Sequence, residues 1–116
     1  MPYLIIGEAS LEDLNDRMEI PVPMNRFRPN IVFTGGKPFL EDSWDKIQIG
    51  EVFFQVTKPC ARCVMTTIDQ VTATKGKEPL KTLAKYRKVD GKILFGQNLI
   101  ALNNGKISVG DEVKAL

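Results

Sequence analysis

Histidine is absent from this chain of 116 residues, and its absence removes several classes of chemistry. The chain alone cannot build a Ser-His-Asp or Cys-His catalytic group, nor a zinc, haem or facial-triad iron site that needs imidazole ligands. Two cysteines are too few for a four-cysteine zinc or iron–sulfur site, and they do not make a disulfide framework. The close spacing of Cys60 and Cys63 favours chemical reactivity instead.

Strong net charge and long apolar runs are also missing. Sixteen Lys and Arg against fourteen Asp and Glu leave a net charge of +2, which does not indicate a nucleic-acid partner. No apolar run approaches the ~20 residues of a membrane span, and no basic stretch precedes the first apolar run. We therefore expect a single domain over residues 1–116 in a cytoplasmic, reducing setting, with no membrane contact from this segment.

Short apolar runs separated by turn residues predict a mostly β, barrel-like domain with two or three helices packed outside it. The expected strands are rich in β-branched residues, and they lie at 3–6, 31–34, 47–49, 52–56, 64–68, 99–102 and 107–109. Asn104 and Gly105 form a turn signal that predicts a hairpin between the last two runs. Residues 95–98 are expected at a turn near the functional site.

Two helices are predicted between these strands. The first covers residues 10–18, with Ser10 as its N-cap. The second covers residues 78–87, with Pro79 in its first turn. Between the helices, the acidic residues around Trp44 predict a turn whose carboxylates act as caps, with Trp44 anchored in the core.

The two cysteines lie between two predicted strands, where functional residues are common. Arg62 lies between them, and nearby cations favour the thiolate, the form that attacks electrophiles and binds metals. Thioredoxin-like dithiol exchange is disfavoured, because it needs a helix directly after the first cysteine and a β-branched run follows instead. Two cysteines that only pack are the competing interpretation.

A second group of candidate residues precedes the run at 31–34. In an extended chain Arg26 and Arg28 point to the same side, and each presents a planar fork suited to phosphate or carboxylate. Asn30 adds a donor and an acceptor. A solvated basic edge strand is the simpler alternative.

Taken together, the motifs are more specific than any one of them. In chain order they read EASLEDLN, RFRPNIV, EDSWD, IGEV, KPCARCVMTTID, KEPLKTLAKYR, LFGQNL and ISVGDEV. This order closely resembles the MOSC domain family, the C-terminal module of molybdenum cofactor sulfurases, and especially the branch of the amidoxime-reducing components and their bacterial relatives. The resemblance extends from about Tyr3 to Val113.

The resemblance implies a β-barrel-like fold and a molybdenum–molybdopterin cofactor. It puts the role of molybdenum ligand on Cys63, with Cys60 as its catalytic neighbour; the reverse assignment is the alternative. The residues it implies for cofactor binding are Arg28, Asn30, Arg62 and Ala61, with Arg26 as a weaker candidate.

The same resemblance implies an oxidoreductase that reduces N-hydroxylated compounds. Its expected partners are an upstream N-terminal β-barrel domain of the same protein and an external electron-transfer protein of the cytochrome or ferredoxin type. We therefore expect this chain to be a C-terminal fragment that lacks the cofactor and is inactive when isolated. The alternative function is a sulfur carrier that holds a cysteine persulfide. Pyridoxal phosphate binding is a further association of the family as a whole.

Overall fold

The computed structural model describes residues 3–68 and 76–116. Within these ranges the strands are β1 (Tyr3–Gly7), β2 (Ile31–Phe33), β3 (Lys46–Ile49), β4 (Val52–Ala61), β5 (Lys88–Val89), β6 (Lys92–Ala101) and β7 (Val113–Ala115). The helices are α1 (Glu8–Asp16) and α2 (Leu80–Tyr86), and short 3₁₀ helices cover Met24–Phe27, Leu40–Ser43 and Val64–Thr67.

The strands form one nearly closed, barrel-shaped sheet in the order β2-β1-β6-β4-β3-β7, with β5 paired to β6. The β1–β2 pair is parallel, and the other pairs are antiparallel. The centre of the sheet is the β4–β6 ladder, which joins its two ten-residue strands. This architecture confirms the mostly β, barrel-like fold predicted from the sequence.

Two apolar layers cover the two faces of the sheet. The first layer lies inside the barrel and includes Ile5, Phe54 and Leu99. The second lies between the sheet and the helices, and includes Ile6 and Phe95. Ile5 and Ile6 are both fully buried, because successive residues of β1 point to opposite faces and each face is covered.

Residues 95–98 lie within β6, so the prediction that they form a turn is wrong. Gly96 has a φ of +87°, and a Cβ at this position would come within 2.9 Å of the side chains of Leu4 and Ile6. The partner strand β4 shows a register shift between Pro59 and Ala61, on either side of which it pairs with Gln97 and Leu94. Glycine is thus needed for the irregularity that bends the strand below the site.

The first helix begins earlier than predicted, and Ser10 is not its N-cap. Gly7 holds the N-cap position, and Ser10 lies buried inside α1. The Ser10 hydroxyl donates to the Glu41 carboxylate at 2.8–2.9 Å and accepts from the backbone N–H of Phe39 at 2.8 Å. Glu41, also buried, accepts from the N–H of Gly7 at 2.9 Å. The Glu41 carboxylate therefore accepts hydrogen bonds from groups at the start of α1, and it does not cap the turn to which Glu41 belongs.

Trp44 packs against the core inside the barrel, with its ring 4.8 Å from that of Phe33, as predicted for a core anchor. The second helix falls within the range predicted for it. None of the helices in the described part of the chain is long and apolar enough to cross a membrane.

The predicted hairpin around Asn104 and Gly105 does not form. β6 already pairs with β1 on one side and with β4 on the other, so residues 107–109 have no free edge to join. The final strand pairs instead with β3. Asn103 bonds to the β3–β4 turn region, accepting from the N–H of Phe53 at 2.7 Å and donating to the carbonyl of Glu51 at 2.9 Å.

Substitution Ser10→Ala should lower the free energy of unfolding by about 1–3 kcal/mol. The change removes a donor to a fully buried carboxylate and the acceptor of the Phe39 N–H. Urea denaturation measures the loss. Ser43→Ala is the matched control, since the exposed Ser43 hydroxyl donates to the carbonyl of Leu40 at 2.7 Å and its loss should stay within ~0.5 kcal/mol. Equal losses in the two variants would contradict this account of Ser10.

Candidate functional site

The cysteines lie where β4 leaves the sheet. Ala61 still pairs with Leu94, and the N–H of Arg62 donates to the carbonyl of Ile93 at 2.7 Å. The predicted strand at 64–68 is instead the 3₁₀ helix Val64–Thr67. Thr66 donates twice to the carbonyl of Cys63, from its N–H at 3.1 Å and its hydroxyl at 2.9 Å. These local bonds turn the chain and override the β-propensity of the run.

The predicted extended conformation around Arg26 and Arg28 is also wrong. Arg26 lies in the 3₁₀ helix Met24–Phe27, and Arg28 follows in the left-handed conformation, with φ 52° and ψ 49°. The ring of Phe27 is buried, with its centroid 4.4 Å from that of Phe95 on β6. The backbone therefore has different conformations at the two arginines. Both lie in or directly after a short helix that packs on the sheet.

Two arginine hydrogen bonds join this segment to the cysteine segment. Arg62 Nη2 donates to the carbonyl of Phe27 at 2.6 Å, and its guanidinium lies 5.1 Å from the centre of the Phe27 ring. In the opposite direction, Arg26 Nη1 donates to the carbonyl of Thr66 at 3.3 Å. We call residues 24–30 and 60–67 the two site segments. The structure thus brings both predicted motifs to one place.

Arg28 is in a conformation that side-chain-bearing residues rarely adopt. The left-handed region costs an L-residue roughly 1–2 kcal/mol, and Pro29 restricts the preceding backbone further. The Arg28 side chain is exposed, and its guanidinium forms no hydrogen bond or ion pair with residues 3–68 and 76–116. Such strain is often kept at functional sites, where the side chain must point in one direction.

Asn30 has a structural task at the edge of the first site segment. Its Oδ1 accepts from the N–H of Leu4 at 2.8 Å, and its own N–H donates to the carbonyl of Leu4 at 3.0 Å. The amide thereby ties the start of β1 to the residue before β2. Its oxygen is occupied, so the Nδ2 group is what Asn30 can offer to a ligand.

The two cysteines are both free thiols, but they have different surroundings. Cys60 is half-buried, and its Sγ accepts a hydrogen bond from Arg62 Nη1 at 2.9 Å. Cys63 is exposed, one residue beyond Arg62. Cys63 is therefore the more accessible of the two thiols.

Comparison with known proteins identifies the family. A match to the MOSC domain covers residues 1–114. The chain belongs to the MOSC domain family. Mitochondrial amidoxime-reducing component 1 of Homo sapiens is 47% identical over 124 residues, which cover 99% of this MOSC domain chain and 37% of the human protein.

One further relative and one solved structure are also similar to the chain. Molybdenum cofactor sulfurase of Oryza sativa subsp. japonica is 44% identical over 119 residues, covering 93% of this chain and 14% of the rice protein. In fold, the chain is similar to the crystal structure of YiiM from Geobacillus stearothermophilus, with a TM-score of 0.69 at 16% identity. That similarity covers 98% of this chain and 53% of YiiM. The chain thus spans well under half the length of the human and rice proteins.

A polar cluster that the sequence motifs did not reveal supports the site of this MOSC domain from below. Asp42 accepts from the buried Gln97 at 2.7 Å and forms an ion pair with Arg87 at 2.7 Å. Arg87 also donates from Nε to the carbonyl of Leu94 at 3.1 Å, opposite Ala61. The acidic EDSWD motif and the arginine ending KEPLKTLAKYR were the available signals, but their pairing depends on the fold.

Substitution Arg28→Gly should leave the free energy of unfolding of the MOSC domain within ~1 kcal/mol of its original value. Glycine removes the left-handed strain but adds about 0.5–1 kcal/mol of backbone entropy to the unfolded chain, and the two effects oppose each other. Urea denaturation is the measurement. Asp90→Gly is the matched control, because Asp90 has a similar φ of 50° in the β5–β6 turn. A loss above ~2 kcal/mol for Arg28→Gly alone would show that the fold needs this guanidinium.

Proposed function

We propose that this MOSC domain binds a molybdenum–molybdopterin cofactor as part of an oxidoreductase that reduces N-hydroxylated compounds. The observation that carries the proposal is the hydrogen bond from Arg62 to Phe27, which joins the segment that holds the exposed Cys63 to the segment that holds the strained, exposed Arg28. The 47% identity to a human protein named for amidoxime reduction supports this class of substrate.

The donor set fits this cofactor better than a metal held by the protein alone. Within residues 3–68 and 76–116, no group of three or more His, Cys, Asp or Glu could hold a metal ion. A metal that arrives with its own organic chelator needs little more than one soft ligand from the protein, and a thiolate is such a ligand. Cys63 is the thiol placed to supply it.

The cationic residues would hold the phosphate of the cofactor. Arginine forms strong, directional bonds to phosphate oxygens. The Arg28 side chain is exposed, and Arg62 uses two of its five N–H groups in hydrogen bonds to the described residues. Asn30 would add a donor from Nδ2. Ala61 pairs with Leu94 and is the last residue of β4, so it fixes the point at which the chain leaves the sheet toward Arg62 and Cys63.

When bound, the cofactor supplies two-electron oxygen-transfer chemistry. The residues of this chain bind and orient it: Cys63 holds the metal, while Arg28 and Arg62 neutralise the phosphate. We propose that an upstream β-barrel domain of the same protein completes the binding site, and that an external cytochrome- or ferredoxin-type protein supplies electrons. The proposed setting of the protein is the cytoplasm.

Substitution Cys63→Ser in the full-length protein tests the metal ligand. Protein from a molybdenum-replete host should contain molybdenum and reduce an N-hydroxylated amidine, and the variant should lose at least a hundredfold in kcat/KM (~2.7 kcal/mol). X-ray absorption at the molybdenum edge should show one sulfur neighbour fewer in the metal that the variant retains.

The control for this experiment is Val109→Ser, which also places serine at an exposed loop position, in the segment that precedes β7. It should keep metal and activity. If the unsubstituted protein carries no molybdenum, or Cys63→Ser keeps both its sulfur coordination and its activity, the proposal is wrong.

A sulfur carrier is the second candidate function. The contact between Arg62 Nη1 and Cys60 Sγ favours it, because a cation beside a sulfur would also stabilise an anionic persulfide. The 44% identity to a rice molybdenum cofactor sulfurase is consistent with sulfur chemistry nearby.

Mass spectrometry after incubation with a cysteine desulfurase and cysteine tests the carrier function. A carrier should gain the mass of one sulfur atom on a single cysteine, and the gain should disappear on treatment with a thiol reductant. An unmodified protein under conditions that load a known persulfide carrier would contradict the second candidate.

A further inference from the structure

The Arg62 guanidinium is held at two points by different parts of the chain. Nη1 donates to Cys60 Sγ at 2.9 Å, and Nη2 donates to the carbonyl of Phe27 at 2.6 Å. Nε is buried and has no hydrogen-bond partner among the described residues. The orientation of the guanidinium plane therefore depends on Cys60 and Phe27 together.

We propose that Cys60 is a positioning residue for Arg62 and that the two cysteines have separate tasks. The Cys60 sulfur orients the guanidinium, and only Cys63 coordinates the metal. This inference rests on the proposed function, and it assigns Cys60 a role in phosphate affinity rather than in the chemistry of the metal.

The physical reason is preorganisation. An arginine side chain has many rotamers, and a free guanidinium must lose that freedom when it binds an anion. In this structure two hydrogen bonds and the nearby Phe27 ring fix the group beforehand. Without the Cys60 sulfur, the guanidinium can turn about its single remaining bond to Phe27. The remaining N–H groups then no longer point in one direction.

The surroundings of the two thiols agree with this division. Cys60 belongs to the last part of β4, between Pro59 and Ala61, which both pair with β6, and its side chain is half-buried. Cys63 has left the sheet and is exposed. A fixed, half-buried sulfur suits a positioning role, whereas an exposed one can reach a ligand.

Substitution Cys60→Ala in the full-length holoprotein should increase the rate of molybdenum loss on dialysis by about fivefold to twentyfold. Cys60→Ser should reverse at least half of this increase, measured as the logarithm of the rate of molybdenum loss, because a hydroxyl can also accept from Nη1. X-ray absorption of the metal that Cys60→Ala retains should show the same number of sulfur neighbours as the unsubstituted protein. The unfolding midpoint of each variant should remain unchanged. If the role of Cys60 were purely structural, Cys60→Ser would not restore molybdenum retention at an unchanged midpoint.

A double-mutant cycle with Arg62→Lys tests whether Cys60 acts through Arg62. If it does, adding Cys60→Ala to Arg62→Lys should change the rate of molybdenum loss by less than twofold, because lysine has no guanidinium to orient. Additive effects, or a Cys60→Ala variant that retains molybdenum as well as the original, would overturn the inference. Loss of a sulfur neighbour in Cys60→Ala would also overturn it, by making Cys60 the ligand. The proposed function fails separately, through a metal-free unsubstituted protein or an unchanged Cys63→Ser variant.

Discussion

The hydrogen bond from Arg62 to the carbonyl of Phe27 connects parts of the chain that are 35 residues apart. The site depends on this link, because neither motif has the geometry of a binding site by itself. The residue before Arg62 is paired in the sheet, and Phe27 is packed on Phe95 from the helix side. The link therefore joins two fixed points. Arg26 makes a second connection in the opposite direction, to Thr66.

The sheet supplies the rigidity that makes those points fixed. The ladder between β4 and β6 runs beneath the cysteine segment, and Arg87 holds the carbonyl of Leu94 where that ladder ends. Asp42 in turn anchors Arg87, from a part of the chain more than forty residues earlier. Ion pairs at the surface contribute little, but this one is partly shielded and shares its carboxylate with the buried Gln97. These contacts connect Asp42 and Arg87 to β6 at the base of the site.

The fold and the site use different members of the same motifs. Asn30 and Arg26 make hydrogen bonds that hold the backbone together, whereas the side chains of Arg28 and Cys63 are exposed. Arg28 even keeps a strained backbone, which nothing in the packing of the fold requires of an arginine. Binding sites are usually composed in this way. The residues that contact the ligand are not needed by the fold, and residues that the fold does need hold them in defined positions.

Much of the architecture is legible in the order of the residues. Alternating apolar residues around Gly50 predicted the β3–β4 pair, and the amphipathic run beginning at Pro79 predicted α2. These elements depend on neighbours a few residues away, and local periodicity carries that information. The cysteine and arginine motifs were recognisable for the same reason, since each is a short continuous run.

The sequence could not determine the features that depend on residues far away in the chain. The sequence predicted Ser10 as a helix cap, but in the fold its hydroxyl donates to Glu41, 31 residues away. The run at 107–109 looked like the second strand of a hairpin, but both edges of β6 were already taken. Composition and spacing determined that this chain is a small β domain with two closely spaced cysteines. Only the tertiary structure decided which cysteine is open and which is held by Arg62, because hydrogen bonds and exposure depend on residues that the chain brings together on folding.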